Sequence, residues 1–252
     1  MANIFTAKRH LREARLTIAK LKAENELLRD TIPKMIESSI FRAAQSVPVA
    51  LAWRSTGRSA AFVEENIPFH LAKSHYDMRR EAIQQAPKDG LFMEFGVAEG
   101  NWINFMADFV PGEIHGFDSF EGLPEAWATH SAGYFTRDGK LPNVKANVRL
   151  VKGWFKDSLP GFLKEHQGPV SFIHMDCDLY SSTLCVLEHL RDRLVVGTQI
   201  VLDDFYVQPG WEVEEFKAFF DFVKREGIAF EYTSYSKESP SVSVGVKLTH
   251  VP

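Results

Sequence analysis

Acidic side chains stand where several predicted strands of this chain end. They lie at the ends of short, mostly apolar runs, singly or in clusters, and the carboxylates concerned are Glu94, Asp118, Asp176, Asp178, Asp203 and Asp204. In an open α/β sheet, ligands bind outside the carboxyl ends of the strands. The spacing therefore predicts one mouth lined with oxygen ligands, which is the arrangement of an enzyme rather than of a structural protein.

A glycine-containing turn follows the first acidic strand end, in the segment EFGVAEG at residues 94–100. Glycines let the backbone turn tightly and approach a ligand, and the next helix points its N–H groups there. Dinucleotide cofactors prefer the pattern G-x-G-x-x-G, which the spacing of Gly96 and Gly100 does not meet. The turn suits S-adenosylmethionine instead, because Glu94 can offset its positive charge while Asp118 holds both ribose hydroxyls.

Strand and helix patterns alternate from Gly90 onward, which predicts a mostly parallel sheet covered on both faces. The predicted strands are 91–95, 114–117, 148–151, 171–175, 199–202, 230–235 and 241–248. The predicted helices are 101–109, 181–194 and 213–226. Residues 33–89 have a helical pattern without a strand signal. We therefore divide the chain into an N-terminal helix at 1–32, a helical cap or lid at 33–89 and a catalytic domain at 90–252.

The N-terminal helix carries a heptad pattern. Its a positions are Ile4, Leu11, Ile18, Asn25 and Ile32, and its d positions are Ala7, Ala14, Leu21, Leu28 and Met35. This pattern favours a two-stranded parallel coiled coil, in which Asn25 fixes the register and Glu24 pairs with Arg29 of the second chain. Pro33 ends the helix. The alternatives are an amphipathic helix packed on its own domain and a solvated basic surface helix.

Composition limits the remaining classes of function. The 252 residues are 45% hydrophobic and 25% charged, enough for a sizeable core, and the net charge of −4 does not indicate a nucleic-acid binder. Two cysteines, Cys177 and Cys185, lack a metal-ligand spacing and indicate a reducing compartment. Because no apolar run is long enough to span a bilayer, we expect a cytoplasmic protein with no membrane span.

Five segments together resemble the macrocin O-methyltransferase family in order and spacing. They are EFGVAEG (94–100), GFDSFEGLPE (116–125), KGWFKDSLP (152–160), HMDCDLYSST (174–183) and VLDDF (201–205). The resemblance implies S-adenosylmethionine- and magnesium-dependent methylation of a sugar hydroxyl. It also implies a Rossmann-like α/β sheet of seven strands in the order 3-2-1-4-5-7-6, with strand 7 antiparallel. The N-terminal helix lies outside the family pattern.

The resemblance implies roles for individual residues. The cofactor would be bound by Glu94, Phe95, Gly96, Val97, Gly100, Asp118, Ser119, Gly153, Trp154 and Asp176. The metal would be held by Asp176, Asp203 and Asp204. Their chemistry agrees, since Mg²⁺ prefers a few hard oxygen ligands and keeps positions open for water or substrate. A coordinated hydroxyl is more acidic and fixed in place.

Some polar residues of the five segments have an interpretation other than binding the metal or the cofactor. Asp203 and Asp204 could cap the following loop, and Asp178 could be a ligand. We favour Asp178 as a cap of the helix from Ser181 or as a support for the ligands. His174, inside a strand, is interpreted as a core histidine with its hydrogen bonds satisfied.

Asp176 and His130 are the candidate catalytic residues. His130 lies in the polar segment 124–145, where loops often carry function, and a histidine can accept a proton near neutral pH. A surface or lid role for His130 is the alternative.

The predicted function is methylation of a sugar hydroxyl on a glycosylated natural product, a nucleotide sugar or a polysaccharide. Methylation of a catechol or phenol uses the same metal chemistry and is the enzymatic alternative. A non-catalytic, cofactor-binding adaptor of a biosynthetic complex is the alternative from another class. Partners would be the sugar acceptor and a second copy of the chain, without nucleic acid.

Overall fold

The structure, a computed structural model, describes residues 16–22, 25–29, 31–32, 34–35, 38–39, 45–237 and 242–252. The chain divides into two compact units, residues 1–53 and 54–252, each considered by itself. Within the described ranges, no helix is both long enough and apolar enough to cross a membrane.

The described part of the first unit is helical where the heptad pattern predicts a helix, at residues 16–22, 25–29 and 31–32. Its apolar heptad positions leave about half of their surface exposed, with Ile18 at 53%, Leu21 at 58%, Leu28 at 55% and Ile32 at 48%. The other predicted positions, Ile4, Ala7, Leu11, Ala14 and Glu24, lie outside the described residues. The coiled coil stays a prediction.

One sheet of eight strands forms the centre of the second unit. The strands are β1 (Ala72–Lys73), β2 (Leu91–Phe95), β3 (Ile114–Asp118), β4 (Val148–Lys152), β5 (Val170–Met175), β6 (Leu194–Leu202), β7 (Ala229–Ser236) and β8 (Val244–His250). Their order is β1-β7-β8-β6-β5-β2-β3-β4, and β8 is antiparallel to both neighbours. Strands β2–β8 thus have the predicted order, and the methyltransferase α/β fold class is confirmed.

The prediction that residues 33–89 contain no strand is wrong for Ala72 and Lys73. These two residues form β1, which pairs in parallel with β7 at the edge of the sheet. A strand of two residues has no alternating pattern to detect, so its existence depends on the neighbour it meets. The consequence is an eighth strand outside the seven of the predicted sheet.

Six α-helices of four or more residues are named in the described ranges. They are α1 (Val47–Asn66), α2 (His75–Gln85), α3 (Asn101–Met106), α4 (Phe155–Glu165), α5 (Tyr180–Leu190) and α6 (Glu215–Glu226). We did not predict α4, whose sequence has Pro160 inside the helix. The predicted helix at 181–194 ends earlier, because Leu194 already begins β6.

Apolar side chains cover both faces of the sheet, as the alternation of β2 shows. Met93 belongs to the core that contains Phe222 of α6, whereas Phe92 belongs to the core that contains Ile83 of α2. Successive side chains of a strand point to opposite faces. Because β2, β3, β5 and β6 are parallel, their carboxyl ends lie at the same edge of the sheet, where the candidate site is found.

Candidate active site

A cavity of about 770 Å³ opens at the carboxyl edge of the sheet. Backbone hydrogen bonds continue past the ends of the paired strands and fix the start of each acidic loop. The Asp176 amide donates to Phe95 O at 2.9 Å, and the Asp203 amide donates to Met175 O at 2.8 Å. Six residues predicted to bind the cofactor line the cavity: Gly96, Asp118, Ser119, Gly153, Trp154 and Asp176. The tertiary structure thus gathers four separate sequence motifs around one space.

The turn after β2 touches the acidic loop after β5. Gly96 has a φ of +89°, and a Cβ atom at this position would lie 1.7 Å from the Asp176 carbonyl oxygen. Only glycine fits such a contact, because it lacks a side chain and tolerates positive φ. The closeness of this turn to Asp176 places the predicted cofactor turn directly beside the predicted metal loop.

Asp118 holds the turn in place from the end of β3. Its Oδ2 accepts hydrogen bonds from the amides of Val97 at 2.9 Å and Ala98 at 2.8 Å, and its Oδ1 accepts from Phe120 N at 2.7 Å. A carboxylate has about four lone-pair sites, so capacity for a ligand hydroxyl remains. The sequence predicted the ligand role of Asp118 and missed its role in fixing the turn.

Four residues predicted to bind the cofactor are not among those that line the cavity. Phe95 is packed against Phe117 in the core, with ring centroids 4.9 Å apart, and Val97 is buried. Gly100 is the N-cap of α3 and has a φ of +80°. Glu94 is 1% exposed and lies beneath the turn. Their cofactor contacts stay predictions.

A buried polar network runs under the cavity from Glu94 to Asp203. His174 Nδ1 lies 2.8 Å from Glu94 Oε1, and Arg79 Nε donates to His174 Nε2 at 3.0 Å. The Arg79 guanidinium also pairs with Asp203 Oδ1. The interpretation of His174 as a core histidine with both nitrogens bonded is confirmed.

Asp203 differs electrostatically from its acidic neighbours. Burial by itself opposes its ionisation, but the Arg79 guanidinium holds the pKa of Asp203 well below its usual range. Ser243 Oγ also donates to Asp203 Oδ1, at 2.5 Å. This oxygen is therefore already occupied by two donors.

Asp176, Asp178 and Asp204 form a compact group that could bind a cation. One oxygen from each lies within 4.8 Å of the other two. Burial and the surrounding carboxylates raise the pKa of Asp176 and Asp204 well above the usual range. Burial also raises the pKa of Asp178 to about 7. Mutual repulsion of this kind is relieved when a divalent cation binds between the oxygens.

A second geometric group consists of His174, Asp176 and Asp203. Because both nitrogens of His174 are engaged, only the two carboxylates of this group have lone pairs to offer. The predicted ligands Asp176, Asp203 and Asp204 are thus distributed over two groups that share Asp176. Their role as a metal-binding set stays a prediction.

The prediction that Asp178 caps the following helix is wrong. Helix α5 begins at Tyr180, its N-cap is Leu179, and no side chain caps it from that position. The Tyr180 amide instead donates to Glu214 Oε2 at 3.0 Å. Asp178 adopts a φ of +60°, and its carboxylate faces Asp204 and the cavity.

His130 lies in an aromatic stack within the loop after β3. Its ring stacks on Tyr134 with centroids 3.9 Å apart and on Trp127 at 5.7 Å. Trp127 lines the cavity, whereas His130 is not among the lining residues. The structure therefore brings Asp176, but not His130, to the cavity wall, and the general-base role of His130 stays a prediction.

The family model described as Macrocin-O-methyltransferase (TylF) matches residues 73–229. This range includes the glycine turn, Asp118 and all four aspartates of the two acidic loops. The chain belongs to the macrocin O-methyltransferase family. The match begins at β1, inside the segment that we had separated as a helical cap, and it does not include the N-terminal helix.

Three curated relatives of this family member are O-methyltransferases. The chain is 37% identical to the 8-demethyl-8-(2,3-dimethoxy-alpha-L-rhamnosyl)-tetracenomycin-C 4'-O-methyltransferase of Streptomyces olivaceus, over 36% of this chain and 41% of that protein. It is 33% identical to the demethyldecarbamoylnovobiocin O-methyltransferase of Streptomyces niveus, over 46% and 53%. It is 30% identical to the mycinamicin III 3''-O-methyltransferase of Micromonospora griseorubida, over 50% and 44%. The chain thus spans about half the length of these relatives.

Two solved structures share the fold. The O-methyltransferase NovP has a TM-score of 0.53 and 22% identity, over 69% of this chain and 79% of that chain. The calicheamicin methyltransferase CalS11 has a TM-score of 0.54 and 21% identity, over 79% and 91%. At this identity the similarity establishes the architecture alone.

Functional candidates that sequence reasoning missed come from outside the recognised motifs. Arg79 is fully buried and pairs with Asp203, although it lies 124 positions earlier in the chain. Glu214 and Glu215 contact the two acidic loops from the start of α6. An arginine or glutamate within a helical pattern normally indicates a solvated face, so no local signal distinguishes these residues.

Proposed function

We propose that this protein is an S-adenosylmethionine-dependent, magnesium-assisted O-methyltransferase that acts on a sugar hydroxyl. The acceptor would be a glycosylated natural product, a nucleotide sugar or a polysaccharide. The observation that carries the proposal is the contact between Gly96 and the backbone of Asp176. This contact supports the proposal, because a cofactor on the glycine turn would lie beside an acceptor at the acidic group, and methyl transfer requires such proximity.

The proposed cofactor site uses both sides of the glycine turn. Asp118, at the cavity wall, would accept hydrogen bonds from the ribose, and Gly153 and Trp154 would border the adenine. Glu94 has one oxygen, Oε2, without a hydrogen-bond partner among the described residues. From beneath the turn, this carboxylate would offset the positive charge of the methionine end. When bound, S-adenosylmethionine supplies a methyl group attached to a positively charged sulfur.

The donor set fits a magnesium ion. Three carboxylates on two adjacent loops, of which Asp178 is buried and Asp176 and Asp204 are partly exposed, offer hard oxygen atoms, and the cavity beside them leaves room for further oxygen ligands. We propose Asp176, Asp178 and Asp204 as the residues that bind the ion, and Asp203 as the carboxylate that neutralises the buried Arg79 beside them. A bound ion would lower the pKa of the acceptor hydroxyl and hold it in position.

The cavity wall supports a sugar acceptor. Trp127, Phe135 and Trp154 line it, and flat aromatic side chains can pack against the apolar face of a pyranose ring. The printed names of the relatives describe methylation of a rhamnosyl tetracenomycin, of a novobiocin precursor and of mycinamicin III. These are the substrates of the relatives, and they support the proposal that this protein also acts on the sugar of a glycosylated compound.

The same aromatic wall also favours the phenol alternative. A catechol could pack between Trp127 and Trp154 with its oxygens toward Asp178. A methyl-transfer assay with nucleotide 6-deoxyhexoses, a rhamnosylated polyketide and a catechol, each with and without EDTA, separates the candidates. We expect turnover on a sugar, loss with EDTA and recovery with Mg²⁺. Turnover on the catechol alone would replace the proposal, and no turnover on any acceptor would favour the adaptor.

We further propose that the protein is a homodimer joined through residues 4–32 and that it is cytoplasmic. We also propose that the chain divides into an N-terminal helix (1–32), a helical cap (33–89) and a catalytic domain (90–252). The exposed Ile18, Leu21, Leu28 and Ile32 support a second copy as the partner, because heptad positions of this kind are buried when two helices pair. Free thiols at Cys177 and Cys185 support a reducing compartment.

A further inference from the structure

Two consecutive glutamates at the start of α6 each hold one of the acidic loops. Glu214 Oε2 accepts a hydrogen bond from the Tyr180 amide at 3.0 Å, at the end of the loop that carries Asp176 and Asp178. Glu215 Oε1 accepts from the Asp204 amide at 3.2 Å, in the loop after β6. The two loops follow different strands, and α6 contacts both.

Helix α6 is held in place by the core, so that it can fix the position of both loops. Its Phe219 and Phe222 are buried in the core of the second unit. Tyr180 is attached to α6 a second time, because its hydroxyl donates to Asp221 Oδ2 at 3.0 Å. The ammonium of Lys217 also lies 4.8 Å from the centre of the Tyr180 ring. The end of the first acidic loop is therefore attached to α6 through both the backbone amide and the hydroxyl of Tyr180.

Glu215 occupies a position that is costly for a carboxyl group. It is fully buried, and its Oε2 has no hydrogen-bond partner among the described residues. Burial of a polar group without a partner destabilises the folded chain. An apolar side chain at this position would make the folded chain more stable. The presence of a glutamate therefore indicates a functional role for Glu215.

We propose that Glu214 and Glu215 are positioning residues that hold the two acidic loops at the separation at which Asp176, Asp178 and Asp204 share one cation. This inference rests on the proposed metal site. Each glutamate acts through a backbone amide and leaves the ligand carboxylates free. Outer partners of metal ligands commonly change metal affinity by about 10- to 100-fold when removed.

The test is Mn²⁺ binding to the full-length protein, measured by electron paramagnetic resonance with MnCl₂ alone. Glu214→Ala and Glu215→Ala should each weaken Mn²⁺ binding by about tenfold or more. Glu215→Gln keeps an oxygen acceptor for the Asp204 amide and should stay within about twofold of the wild type. Glu212→Ala is the matched control, because Glu212 belongs to the same segment but pairs with Arg58.

Binding of S-adenosylhomocysteine and the melting temperature provide the second readout. Positioning residues should lose Mn²⁺ affinity while S-adenosylhomocysteine affinity, measured by calorimetry, stays within about twofold of the wild type. Unchanged Mn²⁺ binding in both alanine variants would overturn the inference and leave the proposed function intact. Equal losses of both ligands with a large fall in melting temperature would reduce the glutamates to a folding role and also overturn it. A wild type that binds no Mn²⁺ would overturn the proposed metal site itself.

Discussion

Glu94 accepts a hydrogen bond from His174 Nδ1 at 2.8 Å. The tautomer follows from the other ring nitrogen, because Arg79 Nε donates to His174 Nε2 at 3.0 Å and an arginine nitrogen cannot accept. Nε2 therefore carries no proton, and Nδ1 carries the single ring proton. Burial raises the pKa of Glu94, and the hydrogen bond from His174 opposes that shift. His174 thus holds the buried Glu94 side chain in place beneath the glycine turn.

Glu94→Gln should weaken cofactor binding, because it removes a negative charge and keeps the shape of the side chain. A charge-assisted hydrogen bond contributes about 1.5–3 kcal/mol, which is roughly a 10- to 150-fold change in affinity. Calorimetry with S-adenosylmethionine and S-adenosylhomocysteine separates two causes. Equal losses place the charge near the ammonium common to both, whereas a loss for S-adenosylmethionine alone places it near the sulfonium. Unchanged affinity for both would contradict the assignment of Glu94.

Asp118→Ala should lower both cofactor affinity and stability. It removes the acceptor for the amides of Val97, Ala98 and Phe120 as well as the proposed ribose contact. Each unpaired buried donor costs about 1–3 kcal/mol. Asp118→Asn keeps one acceptor oxygen and should recover part of the melting temperature. A variant Asp118→Ala with wild-type S-adenosylmethionine affinity would remove the ribose role.

Asp178→Asn and Asp203→Asn should have opposite effects on the metal-free protein. Asp178 is surrounded by carboxylates, so the neutral amide should raise the melting temperature while Mn²⁺ binding is lost. Asp203 is the partner of the fully buried Arg79. Removing one member of a buried ion pair costs about 3–5 kcal/mol, so Asp203→Asn should lower the melting temperature. The same stability change in both variants would contradict this separation of roles.

Metal-induced stabilisation should increase with pH. The pKa of Asp178 is raised to about 7 in the folded protein, compared with about 3.9 in an unfolded chain. Between these values the folded state keeps a proton that the unfolded state has lost, so this group's contribution to stability falls as pH rises. Mg²⁺ competes with that proton. The rise in melting temperature with Mg²⁺ should therefore be larger at pH 8 than at pH 5.5, and an equal rise at both would exclude Asp178 as a ligand.

Deletion of residues 1–32 should halve the mass measured by light scattering, because the predicted seam would be removed. Cofactor binding should survive, since the family match begins at residue 73. Asn25→Leu should raise the thermal stability of the full-length protein. A buried amide at an a position specifies the register of a coiled coil but lowers its stability. A full-length protein that is monomeric at micromolar concentration would end the dimer proposal.

Much of the fold could be predicted from local patterns. Strands β2, β3 and β5 are five or six residues long and almost entirely buried, and the predicted limits agree to within one residue. Residues that depend on distant partners were missed. Ala72 and Lys73 become a strand only beside β7. Asp178 faces Asp204, and it is Glu214 that accepts the hydrogen bond from the Tyr180 amide.

The sequence by itself determined the class of fold, the family and the kinds of atoms at the site. Apolar periodicity, the glycine turn and carboxylates at strand ends are encoded within a few neighbouring residues, and such short-range signals can be read without a structure. Only the tertiary structure decided which carboxylates lie within 4.8 Å of one another and which is paired with Arg79. The pairing with Arg79 joins residues 124 positions apart, and the charge state of an aspartate depends on neighbours of this kind, which it meets only after folding.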